Sequence, residues 1–140
     1  VEQEIAERLN YPALLGGEAV VGESFLQLHQ GPWNTPYALS DRFLLHKRAA
    51  FLQDAGTVLI PRFNLVYFDA FAPEVQPELW TKDVFDRLYA SLTPGGALVT
   101  YCSKSVVRRT LAAAGFVVEK LPGPKGKREI VRAGKTYSKV

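Results

Sequence analysis

The chain has 140 residues, 47% of them hydrophobic and 22% charged, the balance of an ordinary globular domain with a core of its own. Its longest apolar runs are too short to span a bilayer, no basic start followed by an apolar core marks a secretory signal, and the single cysteine, Cys102, excludes an internal disulfide. The net charge of +3 is unevenly spread: residues 1–103 carry −5 and residues 104–140 carry +8.

In chain order, residues 2–9 place Ile5, Ala6 and Leu9 on one face of a helix with acids in its first turn, and Pro12 is expected to end it. The chain has no Met and opens directly into this helix-like sequence, so it reads as beginning partway through a domain. Residues 13–37 are less regular, with a short helix around Phe25, Leu26 and Leu28 and a loop over Gly31–Pro36. Residues 43–48 fit a strand, and 49–61 are ambiguous up to Pro61. Residues 63–68 read as a buried strand that runs into Asp69 and a loop from Pro73 to Pro77.

Thr81 is the expected N-cap of a helix from Lys82 to Leu92, whose Val84, Phe85, Leu88, Tyr89 and Leu92 share a face. Pro94-Gly95-Gly96 stops it and leads into a strand over 97–102. Ser103 is the expected cap of a helix over 105–114, with Gly115 as its C′ residue. A strand over 116–121, a Gly/Pro-rich loop over 122–127, an antiparallel strand over 128–133 and a fraying basic tail over 134–140 complete the chain. Strands alternating with helices predict an α/β fold: a mostly parallel sheet covered on both faces.

Asp69 is the leading functional residue, because ligands of open α/β sheets bind at the carboxyl ends of the strands. It reads either as a loop cap accepting backbone N–H groups or as an acid that orients an amine and takes its proton. Phe71 reads as core packing or as a wall against which a base stacks; Trp80 divides the same way, with packing favoured. Lys104, Arg108 and Arg109 fit a solvated helix face or a set of phosphate contacts, and Lys125, Lys127 and Arg128 fit a phosphate-gripping loop. The basic end reads as a solvated basic face or as a surface for an anionic partner, with nucleic acid the first candidate. His29 and His46 have no ligand-spaced companions, so no metal site is read. Cys102 is expected buried and inert, and a lone thiol fits a reducing cytoplasm. No GxGxxG, P-loop or nucleophile-elbow motif is present.

Taken together, Phe68-Asp-Ala-Phe-Ala-Pro73, Pro77-Glu-Leu-Trp-Thr81, Phe85, Pro94-Gly-Gly96, Thr100-Tyr-Cys-Ser-Lys104, Val107-Arg-Arg109, Ala114-Gly-Phe116 and Leu121-Pro-Gly-Pro-Lys-Gly-Lys-Arg-Glu129 resemble the methyltransferase domain of MnmC-type tRNA-modifying enzymes. The resemblance covers about half the chain, and Val1–Leu15 is similar to the helix after that family's second strand. It implies a Rossmann-like, class I, S-adenosylmethionine-dependent enzyme that methylates the exocyclic amine of 5-aminomethyl-2-thiouridine at the tRNA wobble position. It places Asp69 at the reacting amine and beside the cofactor, with Phe71 and Pro73 lining the pocket. Asp54 is the nearest acid to the adenine side, after Leu45-His46-Lys47.

The family's glycine-rich first loop and ribose-binding acid have no counterpart in these residues and are expected before Val1. The sheet is accordingly expected to lack its first two strands. Strand 43–48 would lose its neighbour, and strand 63–68 would keep an open edge that invites association or strand exchange. The whole chain, residues 1–140, is then the C-terminal part of one methyltransferase domain. A same-fold methyltransferase acting on another amine and a non-catalytic nucleic-acid-binding fragment are the alternatives.

Overall fold

A computed structural model describes residues 3–16, 19–52 and 63–137. The chain forms two compact units, Val1–Ala50 and Phe51–Val140.

The first unit holds three helices and a hairpin. Helix α1 spans Gln3–Glu7, α2 spans Tyr11–Leu14 and α3 spans Ala19–Gln30. Pro12 does not end α1; it sits in the first turn of α2, where its missing N–H costs nothing. Of the expected α1 face, Ala6 is buried whereas Ile5 is exposed. The expected short helix is a twelve-residue one, α3, with the Phe25 and His29 rings in tilted contact, 4.6 Å between centres. Strands β1 (Pro36–Ser40) and β2 (Phe43–His46) pair antiparallel in a sheet of their own. The strand expected over 43–48 therefore does not belong to the larger sheet. Its neighbour, β1, was hidden in sequence by Pro36 and by its single-turn connection.

The second unit is a four-stranded sheet in the order β3-β4-β6-β5, built from β3 (Phe63–Phe68), β4 (Leu92–Thr100), β5 (Val117–Pro122) and β6 (Glu129–Gly134). The sheet is mixed. β3 and β4 are parallel, and β6 runs antiparallel to both β4 and β5. The expectation of parallel strands is thus met in one pairing, and that of a returning C-terminal strand in two.

Helices α4 (Lys82–Ser91) and α5 (Ser105–Ala113) pack on one face of the sheet. Phe68, Leu98, Val131 and Ala133 from the sheet meet Val84 and Phe85 of α4 and Val107 and Leu111 of α5 in a single apolar core. Thr81 caps α4 as expected, its hydroxyl accepting from the Val84 N–H at 3.4 Å. At α5 the cap residue is Lys104, not Ser103, and it makes no side-chain cap bond. The other end of α5 closes as a Schellman turn. Gly115 at φ +96° donates to Ala112 O, and Phe116 donates to Leu111 O.

Two expectations are corrected here. β3 is not a buried strand: Phe63, Leu65 and Tyr67 are 46%, 45% and 78% exposed, and only Phe68 is buried. The alternation of a strand sends these three to the face opposite the helices. Among the described residues that face has no helix of the second unit on it and β3 is an edge strand. Nor does residue 134 begin a fraying tail. Lys135 exchanges backbone hydrogen bonds with Gly95 and Gly96, and its ammonium caps the carbonyls of Tyr89 and Leu92 at 2.8 Å each. Residues 138–140 lie outside the described residues.

The Pro94-Gly95-Gly96 stop lies inside β4. Phe63 pairs with Leu92 and Leu65 with Ala97, so β4 bulges at the glycines. Gly95 needs its positive φ of +79°, and a Cβ on Gly96 would come within 2.9 Å of Thr93 O. Among the described residues no helix is long and apolar enough to cross a membrane.

Candidate active site

The parallel pairing of β3 and β4 builds the site. Phe68 is in register with Thr100, so Asp69 and Tyr101 leave the sheet side by side at its carboxyl edge. A cleft of about 380 Å³ opens there, lined by Asp69, Ala70, Phe71, Ala72, Gln76 and Tyr101.

The loop after β3 is pinned by its backbone, which leaves the side chains of Asp69 and Phe71 exposed. Trp80 Nε1 donates to Phe71 O at 2.8 Å, and the Tyr101 hydroxyl donates to Ala70 O at 3.0 Å. The turn at Pro73–Val75 closes with Val75 N–H and Gln76 N–H both donating to Ala72 O. Trp80 is held in turn by edge-to-face contacts with Phe68, Phe85 and Tyr101. Of the two readings of Trp80, packing is what the structure shows, with the added duty of holding the loop. Phe71 is not core: the residue is 72% exposed, on the cleft. Asp69 is likewise exposed.

The electrostatics favour a neutral tyrosine beside a carboxylate. Burial holds the Tyr101 hydroxyl above its usual value, and the nearby acids Asp69 and Glu74 add to the effect. The group remains a donor to Ala70 O throughout the physiological range. Lys104 pairs with Glu74 across the loop, and their hydrogen bond lowers the Glu74 carboxyl and raises the Lys104 ammonium.

The basic residues divide into those the fold brings to the cleft and those it does not. Lys127 Nζ lies 4.5 Å from the centre of the Tyr101 ring, so the loop between β5 and β6 reaches the site. Lys104 reaches the same loop but is engaged by Glu74. Arg108 donates to Ser103 O at 3.3 Å, and Arg108 and Arg128 both bear on Glu129, which Lys120 holds at 2.6 Å. Arg109 and Lys125 are exposed and make none of these contacts. Pro73 begins the loop turn and is outside the cleft lining. Asp54 lies outside the described residues. Cys102 is buried, as expected.

Sequence reasoning missed Tyr101 and Gln76 as lining residues. The available signal for Tyr101 was its place at the end of the strand following Asp69's own: adjacent parallel strands deliver their C-terminal residues to one edge. Gln76 carried no signal beyond its nearness to the Pro73 turn.

A carboxyl-edge cleft with a carboxylate and aromatic walls is where ligands of the open α/β class of proteins bind. Comparison with known proteins narrows the class. Residues 44–136 match the model of a family of S-adenosyl-L-methionine-dependent methyltransferases. The tRNA 5-methylaminomethyl-2-thiouridine biosynthesis bifunctional protein MnmC of Campylobacter fetus is 33% identical over 100 residues, covering 71% of this chain and 16% of that protein. The MnmC of Aeromonas salmonicida is 49% identical over 57 residues, 41% of this chain and 9% of that protein. MNMC2 from Aquifex aeolicus superposes with a TM-score of 0.68 at 25% identity, over 86% of this chain and 39% of that one. The chain belongs to the S-adenosyl-L-methionine-dependent methyltransferases, in their MnmC-type branch. It spans only 9–16% of the length of these two curated relatives.

The residues present suit the reacting end of such a cofactor. A carboxylate and an exposed aromatic face are groups that can bear on a sulfonium or an amine. Among the described residues, the lining includes no second carboxylate to hold ribose hydroxyls.

Proposed function

We propose that residues 1–140 are the C-terminal part of a methyltransferase domain that N-methylates 5-aminomethyl-2-thiouridine at the wobble position of tRNA. The observation that carries this reading is the pairing of an exposed Asp69 with an exposed Phe71 on a loop fixed at its carbonyls.

S-adenosylmethionine, when bound, supplies an electrophilic methyl group. The rest falls to the chain. An alkylammonium has no lone pair, so the amine must be neutral when it attacks. Asp69 accepts an N–H bond from the amine, aims its lone pair and takes up the proton released as the new C–N bond forms. Phe71 offers a face on which the base stacks outside the helix of its strand. Lys127, Lys125 and Arg128 on the loop, with Lys104, Arg108 and Arg109 around α5, hold phosphates of the RNA. We also infer that the open edge of β3 lets copies of the chain associate when it is folded by itself.

Asp69→Ala in the complete protein that carries this chain tests the reading. Methylation of 5-aminomethyl tRNA should fall by about 10²-fold or more, with S-adenosylmethionine binding by calorimetry unchanged. Unchanged turnover would remove Asp69 from the mechanism. Methylation of a different amine would replace the substrate. Binding of RNA with no methyl transfer in the wild type would leave a non-catalytic RNA-binding module.

A further inference from the structure

The cleft and the basic loop are physically joined through one side chain. Tyr101 holds the peptide next to Asp69 by its hydroxyl and receives Lys127 on its ring. The backbone of the loop from which Lys127 reaches the ring is itself fixed. Gly123 donates to Arg128 O at 3.1 Å, and Lys127 N–H donates to Pro124 O at 2.9 Å. Gly126 sits at φ +89°, and a Cβ on Gly123 would come within 2.4 Å of Lys127 O. The turn is closed and tightly packed, and Lys127 is half-buried within it.

We propose that Tyr101 is a positioning residue for Asp69 and that Lys127 couples it to bound RNA, exchanging the tyrosine ring for a phosphate when RNA arrives. The exchange is favourable in direction. A charge-assisted bond from an ammonium to a phosphate is stronger than a cation–π contact at a partly exposed site. Once Lys127 leaves, the Tyr101 ring is free to face the base in the cleft while its hydroxyl still fixes Ala70 O. The inference deepens the methyltransferase reading and rests on it for RNA as the substrate class.

Trp80 provides a reporter that does not depend on activity. Its indole N–H bonds Phe71 O, and its ring lies edge-on to Tyr101 at 6.2 Å. The experiment uses the complete protein and its cognate unmodified-amine tRNA, with Tyr101→Phe, Lys127→Gln, Lys127→Arg and the Tyr101→Phe/Lys127→Gln pair. Tyr101→Phe should lower kcat about tenfold and leave RNA affinity within about twofold. Lys127→Gln should raise the RNA KM about three- to tenfold and reduce the salt slope of binding by about one. Lys127→Arg should restore both. The pair should lose less than the product of the single losses. RNA should shift the Trp80 indole N–H resonance in the wild type and in Lys127→Arg but not in Lys127→Gln.

A Trp80 resonance that responds to RNA equally in Lys127→Gln overturns the proposal, as do fully multiplicative losses in the pair. A wild type that methylates no RNA, yet shows the Lys127-dependent shift, would refute the methyltransferase reading and keep the coupling.

Discussion

Trp80 Nε1 donates to Phe71 O at 2.8 Å while Phe71 itself stands 72% exposed. One buried aromatic fixes the backbone of another aromatic so that the second can face outward. Trp80→Phe keeps an aromatic in the core but leaves the Phe71 carbonyl without its donor and a gap where the indole was. The expected loss is about 2 kcal/mol, divided between the unpaired carbonyl and the gap. Urea unfolding followed by circular dichroism measures it. A stability unchanged within error would show that the bond contributes nothing and that the loop's other hydrogen bonds hold it.

Local chemistry made part of this site legible in sequence. Thr81, Gly115 and the apolar face of α4 follow from capping, φ preference and helical period, and each is found where those rules put it. Asp69 was placed by the end of an apolar run, which fixes the strand's position but not its burial. Leu-Val-Tyr-Phe reads as buried on both faces, yet Leu65 and Tyr67 point to a face on which the second unit places no helix. Register was out of reach too. The pairing of Phe68 with Thr100, which brings Tyr101 beside Asp69, depends on a bulge at Gly95-Gly96 that spans two strands. The contact of Lys127 with Tyr101 joins residues 26 positions apart through a closed turn, and charge pattern alone could not choose Lys127 over Lys125.

Acid should unfold the second unit partly through two ion pairs. Hydrogen bonds from Lys104 and Lys120 hold Glu74 and Glu129, respectively, below the usual carboxyl value of 4.5. A carboxyl lowered in the folded state stabilises above its unfolded value, and that stabilisation is lost as pH falls through the folded one. The loss therefore begins near pH 4.5 and grows below it. Both carboxylates are solvent-facing, so salt weakens the effect. Urea midpoints measured between pH 7 and pH 3 should fall less steeply for Glu129→Gln than for the wild type. Parallel curves would show that the Lys120 pair carries none of the acid sensitivity.

The outer edge of β3 is where self-association should begin. Its Phe63, Leu65 and Tyr67 are exposed together on one face, and among the described residues no strand hydrogen-bonds its free side. Unpaired N–H and C=O groups beside apolar side chains form a template for a second copy, and charged residues are the usual protection of such edges. Leu65→Lys and Tyr67→Lys place ammonium groups on that face. At 45% and 78% exposure neither position gives up much buried area, so each should change stability by no more than about 0.5 kcal/mol. Light scattering over a concentration series should show the 140-residue chain gaining mass and the double variant staying monomeric. Equal mass gain in both would move the association away from this edge. A wild-type chain that stays monomeric at every concentration would mean that the twist and brevity of β3 protect it without charge.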